Sequence, residues 1–79
     1  MALINWDQIE KIEKQRHTIH DDVDASYSIF EKNGCKYFQI DTYGSTSRMF
    51  TNKVSQSIQL DKKSVKSLVE LLKKEFQLD

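Results

Sequence analysis

Two largely alternating apolar and polar segments, Ala25 to Lys32 and Cys35 to Tyr43, join at Asn33-Gly34. A two-residue Asn-Gly loop favours a type I′ turn, because positive φ at both positions matches the natural twist of a hairpin. The turn sets the register: Lys32 faces Cys35, Glu31 faces Lys36, Ile29 faces Phe38, Tyr27 faces Ile40 and Ala25 faces Thr42. Opposite charges meet and apolar residues meet on one side, so this register is self-consistent. The other side holds Ser26, Ser28, Phe30, Tyr37, Gln39, Asp41 and Tyr43. A further strand is predicted over 54–60, with Val54, Gln56, Ile58 and Leu60 on one face and Ser55, Ser57 and Gln59 on the other.

The pattern changes to a helical period after Asp61, a residue suited to capping. From Lys62 to Phe76, Val65, Leu68, Val69, Leu72 and Phe76 fall within an arc of roughly 100°, the width of a core-facing stripe. Lys62, Lys63, Lys66, Glu70, Lys73 and Lys74 take the far side. This helix is expected to cross the Tyr27, Ile29, Phe38, Ile40 and Ile58 face. Near the N-terminus, Asn5 and Gln8 have capping-box spacing, which predicts a short helix over 5–15 with Trp6, Ile9 and Ile12 on one side. The segment 16–24 is polar and irregular, with an edge strand expected at Thr18-Ile19-His20. These elements predict an α+β fold: an antiparallel β-sheet of three to four strands packed against a C-terminal helix, with a short N-terminal helix. No proline or repeat marks an internal boundary. The chain therefore reads as a single domain, 1–79: N-terminal helix and irregular segment 1–24, sheet 25–60, C-terminal helix 61–79.

Composition narrows the function classes. With 79 residues and 38% apolar content, the core is expected to be thin. Dimerisation is a common way for so small a chain to bury more apolar surface. Twelve basic and twelve acidic residues cancel, unlike the strongly basic balance of duplex-DNA proteins. The single cysteine, Cys35, excludes an internal disulfide and suits a reducing compartment. No apolar run approaches the roughly 18 residues of a membrane span, and no secretory apolar segment opens the chain. A cytoplasmic location is expected.

Catalytic chemistry finds little footing. Cys35 has Lys32 and Lys36 nearby, but both histidines lie well upstream, so no base is placed against it. His17-x-x-His20 with Asp21, Asp22 and Asp24 offers ligand types but not an evident complete set, and no metal or cofactor is expected. The loop from Gly44 to Lys53 has hydroxyls and two cations suited to a phosphate, without the second glycine and the Gly-Lys-Ser/Thr ending of a Walker loop. Met49 and Phe50 at its centre suit either a partner or the core. The polar sheet face is the strongest candidate. Phe30, Tyr37 and Tyr43 offer flat surfaces among hydrogen-bonding side chains, a combination that binds single-stranded nucleic acid. Coverage by Trp6, Ile9 and Ile12, or by another subunit, is the alternative use of that face. Asp41 at its centre opposes phosphate.

The segment Lys36-Tyr-Phe-Gln-Ile-Asp-Thr-Tyr-Gly-Ser45, followed by Lys53-Val-Ser-Gln-Ser-Ile-Gln-Leu-Asp61 and an amphipathic helix, resembles a group of small bacterial proteins. Some of these carry a methionyl-tRNA-formyltransferase-like label. This chain shows no Asn/His/Asp set for that chemistry, and the activity is not expected. More distantly, residues 25–76 are similar to the positive-cofactor-four family of single-stranded-DNA-binding transcriptional coactivators. That resemblance implies an antiparallel sheet that binds the strand and a helix that makes a dimer.

The expected function is thus non-enzymatic binding of single-stranded nucleic acid, as a homodimer. Phe30, Tyr37 and Tyr43 would stack, Gln39, Ser55, Ser57 and Gln59 would hydrogen-bond, and Lys36, Arg48 and Lys53 would meet phosphates. The alternative is a protein-protein interaction module that regulates or inhibits a partner, suggested by zero net charge and by Met49 and Phe50.

Overall fold

The computed structural model describes residues 1–44 and 53–79. Strands β1 (Ala2–Ile4), β2 (Ala25–Lys32), β3 (Cys35–Tyr43) and β4 (Val54–Asp61) form one sheet in the order β1-β4-β3-β2, and helix α1 (Lys62–Glu75) follows β4 directly. The fold is α+β. Asn33 and Gly34 have φ of 54° and 80°, the positive pair that a type I′ turn requires. The β2–β3 register runs from Ala25 opposite Thr42 to Lys32 opposite Cys35, as the turn chemistry predicts. Tyr43 N–H donating to Asp24 carbonyl at 2.9 Å extends the pairing by one step.

The N-terminal segment differs from expectation. Asn5 does cap, its side chain accepting from Asp7 N–H at 3.0 Å. The helix then stops after one 3-10 turn, Trp6–Gln8, and the backbone is extended at Ile9. Isolated helices this short are marginal in water, and Ile9 and Ile12 remain exposed instead of docking a stripe that would sustain one. Thr18-Ile19-His20 forms no strand, and Ile19 is 99% exposed. In place of both expected elements, β1 joins β4 in parallel, pairing Ala2 with Ile58, Leu3 with Gln59 and Ile4 with Leu60. The sheet is therefore mixed rather than wholly antiparallel. Three residues are too few to show a period, so β1 left no pattern to detect.

Ser64 joins the ends of the chain. Its side chain is completely buried, at 0% exposure. The hydroxyl donates to Ile4 carbonyl at 3.0 Å and accepts from Trp6 N–H at 3.2 Å. Its own backbone N–H donates to Asp61 Oδ1 at 2.8 Å, the N-cap bond of α1. One small residue thereby ties the end of β1 and the 3-10 turn to the first turn of the helix. Lys63 adds a 2.7 Å bond to Asp7, but both groups are exposed and the pair contributes little.

Around this junction the core is small. Leu60, at 6% exposure, is the one fully enclosed apolar side chain among the described residues. Val65 and Leu68 in α1 are half-buried, whereas Val69, Leu72 and Phe76 are exposed. The helix covers the apolar sheet face with its first two turns only. It ends on Gln77 at φ 55°, with Leu78 N–H donating to Lys73 carbonyl at 3.0 Å, a Schellman-type stop usually made by glycine. No helix among the described residues is long and apolar enough to cross a membrane.

Replacing Ser64 by Ala removes the hydroxyl that serves both Ile4 and Trp6. The expected loss is about 1–3 kcal/mol of unfolding free energy, the cost of leaving enclosed polar groups without partners. Urea denaturation followed by tryptophan emission measures it, and an unchanged midpoint would show that the junction is dispensable.

Candidate nucleic-acid interface

Cross-strand partners project to the same side of a sheet, so the register assigns the faces. Phe30 pairs with Tyr37, Ser28 with Gln39 and Ser26 with Asp41; across the other ladder Tyr37 pairs with Asp61, Gln39 with Gln59 and Asp41 with Ser57. These residues share one face. Ile29, Phe38, Ile40, Ile58 and Leu60 share the opposite one, where the Tyr27 and Phe38 rings lie 5.8 Å apart.

The polar face has two parts. At the end near the turn, the rings of Phe30 and Tyr37 stack with centroids 5.4 Å apart and planes 25° apart. Along the middle, side chains bond to one another in a chain. Gln59 Nε2 donates to Gln39 Oε1 at 2.8 Å, Gln39 Nε2 donates to Asp41 Oδ1 at 2.8 Å, and Ser57 Oγ donates to the same Asp41 oxygen. At the far end Tyr43 and Ser26 share a hydroxyl–hydroxyl bond of 2.8 Å, which pins the Tyr43 ring toward β2. The hydrogen bonds from Ser57, and then from Gln39, hold the Asp41 carboxyl below the usual carboxylate range, so it is ionised at neutral pH.

Of the expected binding residues, Phe30, Tyr37, Gln39, Tyr43, Ser57 and Gln59 come together on this face. Ser55 departs from its expected place. The β3–β4 register shifts between Thr42 and Tyr43, which pairs Tyr43 with Val54 and leaves Ser55 in the irregularity. A bulge of this kind breaks the strict alternation on which that placement relied. Lys36 falls on the opposite side, paired with Glu31, and lines a groove between the hairpin end and the start of α1 with Lys62, Lys63 and Val65. The exposed Lys53 immediately precedes β4. Arg48, Met49 and Phe50 lie outside the described residues, as does most of the loop considered for phosphate. Trp6 is anchored by its backbone at the helix start. Cys35 is a free, exposed thiol. Among the described residues no three His, Cys, Asp or Glu side chains gather as metal ligands.

Ser26, Ser28 and Asp41 were placed on this face by sequence reasoning without a binding role, and of these Ser26 and Asp41 bond to its other side chains. Their register was legible; their bonds to Tyr43, Gln39 and Ser57 depend on side-chain reach across strands.

No family model, curated protein or solved structure matches this chain.

The two shifted carboxyls predict acid sensitivity. Asp41 is lowered by Ser57 and Gln39; Asp61 is lowered by the Ser64 backbone N–H, with Lys63 adding. A folded-state value below the unfolded one gives stability that is complete above the unfolded value, about 4, and lost as pH falls through the folded value. Denaturation midpoints should therefore decline on acidification below about pH 4. Asp41→Asn and Asp61→Asn should each flatten that acid limb, and a limb unchanged in both variants would remove these carboxylates as its source.

Proposed function

We propose that the chain is a non-catalytic binding protein that takes single-stranded nucleic acid on its polar sheet face and acts as a homodimer in the cytoplasm. The observation that carries this reading is the stacked Phe30–Tyr37 pair beside the bonded row of Gln59, Gln39, Asp41 and Ser57. Bases have flat apolar faces and polar edges, and this surface offers rings and hydrogen-bonding groups side by side. Stacking is worth about 1–3 kcal/mol per base and tolerates any sequence. Lys53 at the entry to β4 supplies charge for the backbone, and Arg48 adds a cation earlier in the sequence. Lys36 is set aside for this role, since its register position is on the other face.

The homodimer is supported by the opposite side. Tyr27 is 72% exposed and Phe76 68%, with Ile29, Ile58, Val69 and Leu72 also open. The radius of gyration is 14.9 Å, against about 12 Å for a compact chain of this length. Apolar surface left by an extended helix and a bare sheet face suits a second copy, which would leave both polar faces outward. A different protein docking on that apolar side is the competing reading.

Fluorescence anisotropy with labelled single-stranded DNA at low salt tests the binding. Phe30→Ala with Tyr37→Ala should weaken it about tenfold or more, given the stacking energies involved. No saturable binding by the native protein, or full affinity in the double variant, would sink the reading. Sedimentation equilibrium tests the dimer: the native chain should run as two copies and Ile29→Glu should shift it toward one. A native chain monomeric at all concentrations would refute self-association.

A further inference from the structure

The carboxylate at the centre of this face needs an explanation. Every phosphate approaching it is repelled, yet it is held in place by neighbours instead of being turned away. Both of its bonds fall on Oδ1, from Gln39 and Ser57, and among the described residues none donates to Oδ2. A carboxylate has about four acceptor positions, so two remain for a ligand. Gln39 itself is fixed from behind by Gln59, which orients its amide toward Asp41. The group is thus a pre-positioned double acceptor on an otherwise uncharged stretch of sheet. Tyr43 stands two residues along the same strand face, roughly 7 Å away, and the Tyr37 ring stands four residues the other way, roughly 13 Å. That two-residue spacing is within the reach of one base lying against Tyr43.

The four bases differ in what they show such an acceptor. Guanine presents two adjacent donors on its Watson–Crick edge, N1–H and the N2 amino group. Adenine and cytosine each present one amino group beside a ring-nitrogen acceptor, and thymine or uracil presents one N–H between two carbonyls. In those three, a lone pair stands beside the donor and faces Oδ2, which two donors of guanine would share. Single-stranded recognition reads this edge, because it is free when the bases are unpaired. We propose that Asp41 makes the polar face selective for guanine in single-stranded nucleic acid, accepting from N1–H and N2–H while Tyr43 supports the ring. Gln39, Ser57 and Gln59 act as positioning residues for that carboxylate.

This inference rests on the strand-binding reading above, and its test separates the two. The full-length chain is titrated, by anisotropy, with a labelled thymine strand, with the same strand carrying spaced guanines, and with inosine in place of each guanine. The guanine strand should bind about tenfold tighter than the thymine strand, the scale of one good two-bond contact. Inosine, which lacks the N2 amino group, should lose most of that gain. Asp41→Asn should abolish the preference, so that the variant binds guanine and thymine strands equally, and Gln59→Ala should reduce it. Equal affinity for guanine and thymine strands overturns the selectivity and leaves strand binding standing. Inosine equal to guanine also overturns it, and needs no variant to fold. Binding of no strand at all overturns both proposals.

Discussion

The Ser64 hydroxyl is the constraint on which the arrangement of this chain depends. Its partners, Ile4 and Trp6, lie about as far from it in sequence as the chain permits, and no water reaches it. A buried hydroxyl is tolerated only when its bonds are made, so burial and the position of β1 stand or fall together. With Ile4 held there, β1 lies alongside β4, in parallel. The same residue receives the Asp61 cap through its backbone, so strand end, turn and helix start share one point. A larger side chain would not fit the enclosure, and an apolar one would leave Ile4 and Trp6 unserved.

From that point the structure opens outward, and its two faces follow different physics. The apolar side lacks a second layer beyond the first turns of α1. Burial of apolar surface is the main favourable term in folding, and here little of it is realised within one copy. The polar side is organised by direct side-chain bonds between Gln59, Gln39, Asp41 and Ser57 and by the Phe30–Tyr37 stack. Such a network positions groups more than it stabilises the chain, since each bond replaces one made with water. The sheet thus has an organised polar face and an apolar face that α1 covers only in part.

Much of this was legible in the residues. Asn33-Gly34 dictates the turn, the turn dictates the register, and the register separates Ile29 and Phe38 from Phe30 and Tyr37. Asp61 announces both the end of β4 and the cap of α1. The failures also have identifiable causes. Asn5 caps as its type suggests, but a cap cannot extend a helix whose apolar stripe has nothing to dock on. Ser55 looked like part of a regular alternation until the register shift opposite Thr42 and Tyr43 displaced it. Lys36 was expected to meet phosphates at the rim of the polar face, although the register that pairs it with Glu31 puts it on the opposite side.

What the sequence by itself determined is therefore what short-range chemistry can encode: turn type, strand period, cap and the division of the sheet into two faces. Only the tertiary structure decided the parallel entry of β1, the burial of Ser64, the bulge at Ser55 and the reach of α1 beyond the sheet. Each of these depends on groups brought together across the fold or on a match between elements of different length. Contacts of that kind leave no local pattern, because their energy is realised only after the chain has closed.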